Sequence, residues 1–157
     1  EAANWYDGAR CTKYEVDKAG QYQYAENDFV LMRYADVLWM KEEAILRGGQ
    51  GTSGINSADF QKMLKRAFAY ESDPKAAYEA AYTTALTLDN ILDERGREFA
   101  WEMVRRRDLI RYNQYSQGTW LWKKKVEKYR DWFPIPRKML ETSGGLWTQN
   151  EGYITDK

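Results

Sequence analysis

The strongest constraint on the fold is a charged stretch, residues 93–115, which reads DERGREFAWEMVRRRDLIRYNQY. Its apolar residues, with the leucine just before it, follow one another at spacings of seven, four and seven. These residues are Leu92, Phe99, Met103 and Ile110. Such spacings place the side chains on one helical face, so one long helix or two helices end to end are predicted. The charged residues between them are interpreted first as a solvated face over a helical core.

The same stretch offers ion pairs between neighbouring helical turns. Glu102 and Arg106 are four residues apart, and Asp108 and Arg111 are three apart. Side chains at these spacings meet on a helix surface, where each exposed pair adds only about 0.2–0.5 kcal/mol. These pairs are therefore predicted to contribute little to stability.

A strong helix is predicted over residues 29–47. Asp28 is its predicted N-cap, and the glycine-rich sequence at 48–51 is a typical C-terminal stop. Its predicted apolar stripe consists of Val30, Tyr34, Val37, Leu38 and Ile45.

Two shorter helices are predicted to follow. The first covers residues 56–70 and pairs with the preceding helix as a helical hairpin. The second covers residues 75–86, with Pro74 in its first turn. The core positions of the first are Phe60, Leu64 and Ala67, and the candidate caps for the charged helix are Thr87, Asp89 and Asn90.

The C-terminal part of the chain loses the helical pattern. Residues 131–136 contain two prolines and are predicted to be extended, because proline fixes φ and restricts the residue before it. Residues 146–153 form a closing segment without periodicity. Trp120 and Trp122 lie beside a run of lysines, which is interpreted as a solvated face, with a phosphate-binding surface as the alternative.

Together these elements predict a mostly α fold: tetratricopeptide-like helical hairpins with irregular loops and an extended C-terminal segment. The helix–turn–helix sizes fit such units, although no internal sequence repeat is clear. The length predicts a single domain over residues 1–157.

Composition excludes several classes of function. A net charge of zero argues against nucleic-acid binding, which requires a basic surface. The sequence has no histidine, the most common general base and zinc ligand, and its one cysteine excludes an intrachain disulfide. Aromatic residues reach 15%, with seven Trp and twelve Tyr. Such residues supply surfaces for a core, for a protein interface or for stacking on sugar rings.

Four segments in order resemble the C-terminal part of the SusD/RagB family of nutrient-uptake outer-membrane lipoproteins. Family members commonly show an R-Y-A-D-V-L-L-M helix, an E-R-R-R-E-L-A-F-E helix, a P-I-P segment and a Q-N-P-G-Y tail. The corresponding segments are RYADVLWMKEEA at 33–44, ERGREFAWEMVRRRDLIR at 94–111, FPIP at 133–136 and QNEGY at 149–153. Departures occur at Gly96, where arginine is usual, at Arg107, which replaces an aromatic, and at Glu151, which replaces the tail proline.

The resemblance implies a cell-surface protein of the outer membrane that binds glycans and is not an enzyme. It implies delivery of oligosaccharides to a SusC-type TonB-dependent transporter, with no cofactor, metal ligand or catalytic residue. Family chains are much longer and begin with a lipidated cysteine. The sequence is therefore expected to be a C-terminal fragment, attached to the membrane only through an N-terminal lipid anchor that it lacks.

The predicted ligand-binding residues are Trp5, Tyr6 and Arg10, in the sequence NWYDGAR. An aromatic face can stack on the C–H patches of a pyranose while polar side chains at the rim bond its hydroxyls. The alternative is that Trp5 packs on the core or on the N-terminal half that the fragment is expected to lack. Trp120 and Trp122 are a second candidate, for which a core or interface role is favoured. Within the charged stretch, Glu98, Arg105 and Asp108 are predicted to make partly buried polar bonds.

Two other functions stay open at this stage. One is a helical scaffold that binds a protein partner through aromatic patches and has no glycan site of its own. The other is a glycoside hydrolase, which needs only two carboxyl groups about 5–9 Å apart. The chain has 24 acidic residues, so chance pairs are easy, and no motif selects any of them.

Overall fold

A computed structural model describes residues 13–15, 17, 26–81 and 85–153 of the chain. This part contains six α-helices and two short 3-10 helices, but no strand beyond an isolated bridge. The α-helices are α1 (Tyr34–Leu46), α2 (Ala58–Ala67), α3 (Pro74–Ala81), α4 (Leu88–Glu98), α5 (Arg105–Arg111) and α6 (Arg137–Thr142). The 3-10 helices are Gly54–Asn56 and Lys128–Asp131. The predicted mostly α fold is confirmed, and the tetratricopeptide-like pairing stays a prediction.

The chain divides into two compact units, which are unit 1 (Glu1–Met103) and unit 2 (Val104–Lys157). Helices α1 to α4 belong to unit 1, and α5 and α6 belong to unit 2. The single domain over residues 1–157 stays a prediction. Among the helices described, none is both long enough and apolar enough to cross a membrane.

The core of unit 1 is built around three aromatic rings. The Phe60 ring meets Trp39 at 5.7 Å and Tyr78 at 5.1 Å between centroids, edge to face in both cases. Each such pair adds about 0.5–1.5 kcal/mol beyond its buried area. The rings come from α1, α2 and α3, and they join these helices in one core. Around them lie the buried residues Ala35, Leu38, Met63, Leu64, Ile91, Leu92 and Phe99.

Helix α1 begins later than predicted. Its N-cap position is Arg33, in extended backbone, so the predicted cap at Asp28 is wrong. Tyr34 and Val37 are exposed, which also corrects part of the predicted apolar stripe. The reason is that the buried face of α1 carries charged residues among its apolar ones. These buried charged residues are Asp36, Glu42 and Glu43.

The next two helices are shorter than predicted. Helix α2 is capped by Ser57, whose hydroxyl accepts a bond from the Phe60 amide at 3.3 Å. Phe60 and Leu64 are buried as predicted, whereas Ala67 is exposed. Helix α3 begins at Pro74 and ends at Ala81, ahead of residues 82–84, which lie outside the described part.

The charged stretch forms two helices and not one. Helix α4 is capped by Thr87, and α5 begins only at Arg105. Between them Trp101 and Met103 adopt φ values of 68° and 60°, the left-handed region that few non-glycine residues occupy. Met103 is 85% exposed, so its predicted place on the apolar stripe is wrong.

Unit 2 contains little regular structure. Lys123 and Trp120 exchange backbone hydrogen bonds of 2.7 and 3.2 Å across a tight turn. Asp131 ends the 3-10 helix Lys128–Asp131, so extended backbone begins one residue later than predicted, at Trp132. Helix α6 follows directly after Pro136, at a place where no helix was predicted.

Candidate functional site

Arg33 is the centre of a charged cluster in unit 1. Its Nε and Nη2 atoms each donate to the Glu102 carboxylate at 2.8 Å, one bond to each oxygen. Arg33 also forms an ion pair with Glu98, which is bound in addition by Arg66. Lys13 completes the cluster through an ion pair of 2.5 Å with Glu102. Two-pronged guanidinium–carboxylate contacts are strong and directional, so this cluster fixes the residue before α1 to the segment after α4.

The cluster changes the acidity of Glu102. Burial alone would raise the pKa of Glu102, but the hydrogen bonds from Arg33 and Lys13 outweigh it and lower the pKa below its ordinary value. Glu102 is therefore an ionised carboxylate with two cationic partners. A group held in this state is suited to structural anchoring and not to proton transfer near neutral pH.

A second set of charges is buried deeper in unit 1. Arg95 Nη1 lies 2.7 Å from Asp36 Oδ1, with both side chains almost fully buried. Glu42 is also fully buried and accepts bonds from the Gly54 amide at 2.8 Å and the Ser57 hydroxyl at 2.5 Å. These contacts join α1 to α4 and to the start of α2. Their role is therefore to stabilise the packing of these helices.

A cleft of about 780 Å³ lies beside the Arg33 cluster. Its walls combine apolar core residues, such as Trp39 and Tyr78, with charged residues that include Arg66 and Glu98. Because these charged residues pair with one another, the cleft offers little uncompensated charge to a ligand. No group of three or more potential metal-binding side chains occurs in the described ranges.

Unit 2 contains a loop that is held tightly from one side by Arg106. We call residues 130–135 the Trp132 loop. The Nη2 atom of Arg106 donates to the Asp131 carbonyl at 2.9 Å. The guanidinium carbon of Arg106 lies 3.9 Å from the centre of the Phe133 ring and 4.8 Å from that of Tyr115. Cation–π contacts of this kind add about 0.5–2 kcal/mol, so Arg106 fixes the loop through both its backbone and a ring.

The closing segment of the chain holds the Trp132 loop from the other side. Three of its side chains donate hydrogen bonds to consecutive or nearby carbonyl oxygens of the loop. These bonds run from Tyr153 Oη to Trp132 O (2.7 Å), from Asn150 Nδ2 to Phe133 O (2.7 Å) and from Gln149 Nε2 to Ile135 O (2.9 Å). Side-chain bonds to irregular backbone replace those that a helix or sheet would supply. The loop is therefore ordered despite its lack of regular structure.

The buried carboxylate of Asp131, near the start of the Trp132 loop, adds a charged anchor. Burial alone would raise the pKa of Asp131, but hydrogen bonds from Lys128 and Ser116 outweigh it and lower the pKa below its ordinary value. Lys128 Nζ lies 2.5 Å from the Asp131 carboxylate and also donates to Asn113 at 2.6 Å. The ammonium group thus bonds two partners within unit 2.

Large aromatic side chains of the Trp132 loop nevertheless face solvent. Trp132 is 70% exposed and Phe133 is 69% exposed. A cavity of about 670 Å³ adjoins the indole of Trp132. The other residues that line it are Glu127, Lys128, Tyr129, Asn150, Glu151 and Gly152. The cavity thus combines two aromatic rings with carboxylate, amide and ammonium groups.

The predicted site residues have mixed outcomes. Trp5, Tyr6 and Arg10 lie outside the described residues, so their role stays a prediction. Trp120 and Trp122 lie on the surface of unit 2, with Trp122 95% exposed. Trp132 was not among the predicted site residues, although a tryptophan directly before the FPIP segment is visible in the sequence.

The predicted polar bonds of the charged stretch are confirmed in part. Glu98 is largely buried and paired with arginines, and Asp108 is fully buried with Arg111 3.5 Å away. Arg105 is exposed, so its predicted burial is wrong. The predicted Glu102–Arg106 pair is also wrong, because Glu102 instead binds Arg33 and Lys13.

Comparison with known proteins gives a consistent result. A profile of the SusD family matches residues 2–153 of the chain. The chain is 30% identical, over 139 aligned residues, to the starch-binding protein SusD of Bacteroides thetaiotaomicron. The alignment covers 83% of this chain but only 22% of that relative, so the chain spans about a fifth of the relative's length. No solved structure matches the chain.

Proposed function

The chain belongs to the SusD family, and from this membership we propose that it forms part of a non-catalytic protein that binds oligosaccharides or polysaccharides as nutrients. The observation that carries the proposal is the family match over residues 2–153, together with the similarity to a starch-binding protein. In this proposal the protein lies at the surface of the outer membrane. It delivers its ligand to a SusC-type TonB-dependent transporter.

The surface chemistry of the described residues supports carbohydrate binding. Several tryptophans are strongly exposed, although their burial in a core would remove more apolar area from water. They include Trp101 (72%), Trp132 (70%) and Trp147 (52%). Exposed aromatic rings beside polar groups are suited to stack on sugar rings, whose faces are apolar and whose edges carry hydroxyl groups.

We further propose that Trp5, Tyr6 and Arg10 contribute to a glycan site. Trp5 and Tyr6 would supply stacking surfaces, and the Arg10 guanidinium would donate to sugar oxygens. The rationale is chemical, since an aromatic face can stack on the C–H patches of a pyranose while polar side chains bond its hydroxyls.

Calorimetric titration of the full-length protein with starch, cellulose and xylan oligosaccharides tests this function. Binding without release of new reducing ends supports a non-catalytic role, whereas turnover would favour a glycoside hydrolase. Trp5→Ala is expected to weaken binding about tenfold or more, because it would remove the proposed stacking surface. Unchanged affinity in this variant would reject the site while leaving the function intact.

A second function, a helical scaffold that binds a protein without a glycan site, is favoured by one observation. Leu121 and Trp122 form an apolar tip on a tight turn, and each is 95% exposed. Side chains of this kind are enriched at protein interfaces. Co-purification of the SusC-type transporter with wild-type protein, but not with a Leu121→Ser and Trp122→Ser variant, would support this alternative if all glycans fail to bind.

A further inference from the structure

Trp132 differs from the other exposed tryptophans in how firmly its backbone is held. Arg106 bonds the carbonyl before it, Tyr153 bonds its own carbonyl, and Asn150 bonds the carbonyl after it. Three consecutive carbonyls are thus fixed by side chains from elsewhere in unit 2. Yet the indole at the centre of this arrangement is 70% exposed. A ring presented on a fixed backbone loses little conformational freedom when a ligand binds.

Trp122 provides the contrast within the same unit. It is 95% exposed, and it lies in a turn closed by the two backbone bonds between Trp120 and Lys123. The residue before it, Leu121, adopts a φ of 42°. Trp132 lines a cavity of about 670 Å³. Trp122 does not line that cavity or the neighbouring one of about 440 Å³. Exposure alone therefore does not distinguish the two residues. They differ because side chains from elsewhere in unit 2 hold the backbone of Trp132 and because its ring lines a cavity.

The rim of this cavity presents mainly hydrogen-bond acceptors. Glu127 and Glu151 are exposed carboxylates that line it, and neither bonds another side chain in the part of the chain that the structure describes. The Lys128 side chain is 61% exposed, but its positive charge is compensated by the Asp131 carboxylate at 2.5 Å, and its ammonium group also donates to Asn113. Neutral sugar hydroxyls can donate to such acceptors, whereas a sugar carboxylate would meet like charge.

We propose that Trp132 and the adjoining cavity form a sugar-binding subsite that accepts a neutral pyranose and discriminates against acidic sugars. The inference rests on the proposed carbohydrate-binding function and adds to it a place and a ligand class. The apolar face of the pyranose stacks on the Trp132 indole. Its hydroxyl groups donate to Glu127, Glu151 and the amide oxygen of Asn150. Arg106 is a positioning residue, because it holds the loop and does not line the cavity.

The test uses the full-length protein labelled with 5-fluorotryptophan, and it follows the fluorine NMR signal of residue 132. That signal is assigned as the one missing in Trp132→Phe. Maltoheptaose, cellohexaose and a neutral xylan oligosaccharide are compared with an oligogalacturonate of similar length. The subsite predicts that at least one neutral oligosaccharide shifts the signal of residue 132 and that the oligogalacturonate does not.

Affinity measurements on variants complete the test. Trp132→Ala is expected to weaken binding of the active oligosaccharide about ten- to one-hundredfold, since it removes most of a stacked aromatic contact. Trp122→Ala is the matched control and should leave the affinity unchanged. Replacing both carboxylates, Glu127→Gln with Glu151→Gln, should reduce the difference in affinity between neutral and acidic oligosaccharides.

The possible failures separate the two proposals. If an oligosaccharide binds but the signal of residue 132 does not move, the subsite is wrong and the carbohydrate-binding function stands. If soluble quenchers cannot reach Trp132 in the full-length protein, the ring is an internal contact and the subsite is also wrong. If no oligosaccharide binds anywhere, both proposals are rejected. The fluorine shift is measured on wild-type protein, and only the assignment of the signal uses a variant, the conservative Trp132→Phe.

Discussion

Arg95 meets Asp36 inside unit 1, with the guanidinium Nη1 2.7 Å from the carboxylate Oδ1 and both side chains almost fully buried. The two atoms form an ion pair without the alignment of a hydrogen bond. The Arg95 guanidinium also lies 5.0 Å from the centre of the Phe99 ring. The contact joins α4 to α1, so it ties the second family segment to the first at the level of the core.

Removing one partner of this pair should destabilise unit 1 strongly. Asp36→Ala leaves the Arg95 charge buried beside fewer compensating groups, and such losses amount to about 3–5 kcal/mol. The double variant Asp36→Leu with Arg95→Met removes both charges. Its free energy of unfolding should fall less than that of Asp36→Ala. Urea unfolding followed by circular dichroism measures both values.

The matched control for this pair is Arg97→Met on the exposed side of the same helix. Arg97 pairs with Glu94 at 2.7 Å, but its side chain is 61% exposed. An exposed pair contributes about 0–1 kcal/mol, so this variant should unfold almost like wild type. Equal losses for Asp36→Ala and the double variant would show that the buried charge is not the cause.

Glu102 should make the stability of unit 1 sensitive to acid. The pKa of Glu102 in the folded chain lies below its ordinary value of 4.5, so the folded chain binds fewer protons than the unfolded chain as pH falls. The contribution of ionised Glu102 to stability is fully present above about pH 4.5, and it is lost as the pH falls through the pKa of Glu102 in the folded chain. In Glu102→Gln, the free energy of unfolding should fall less steeply in this acidic window. Urea titrations at a series of pH values measure the slope, and an unchanged slope would contradict the assignment.

Some elements could be predicted because the chain signals them locally. Phe60 and Leu64 lie at helical spacing, so α2 and most of its buried face were predicted, whereas its cap at Ser57 and the exposure of Ala67 were not. Helix α1 shows the opposite case. Its buried face includes Asp36 and Glu42, whose partners lie elsewhere in the chain. A hydrophobic pattern cannot identify a buried charge, since burial becomes favourable only once the partner is in place.

Two other features depend on contacts that no local pattern contains. The end of α4 has no proline or glycine to mark it, yet Trp101 adopts a left-handed φ of 68° just after it. The Trp132 loop is held by Asn150 and Tyr153, about twenty residues further along the chain. Prolines indicated extended backbone there, but the side-chain bonds that make the loop rigid became visible only in three dimensions.

Thr87 should stabilise the start of α4 through a capping box. Its hydroxyl accepts a bond from the Asn90 amide at 3.1 Å, and the Asn90 side chain accepts one from the Thr87 amide at 3.2 Å. Thr87→Ala should therefore destabilise unit 1 by about 0.5–2 kcal/mol. Thr52→Ala, at an exposed loop position, is the control and should change stability little. If both variants unfold at the same urea concentration, the box contributes nothing measurable.

Gly152 should be required for the closing segment to hold the Trp132 loop. Its φ is +87°, and a Cβ added there would lie 2.5 Å from Tyr129 Cδ1. Gly144 has a φ of +63° but no atom within 4 Å of such a Cβ. Both alanine variants share the left-handed backbone strain of about 1–2 kcal/mol, and only Gly152→Ala adds a clash.

The clash at Gly152 should separate the Tyr129 and Tyr153 rings, whose centres lie 4.8 Å apart. Because Tyr153 also holds the Trp132 carbonyl, hydrogen exchange of the backbone amides at 149–153 should accelerate in Gly152→Ala more than in Gly144→Ala. The clash should lower the free energy of unfolding by about 1–3 kcal/mol more in Gly152→Ala than in Gly144→Ala. Adding Tyr129→Ala removes the ring that the new Cβ meets, and it should restore part of the protection at these amides. Equal exchange rates in the two glycine variants would show that backbone strain alone explains the effect.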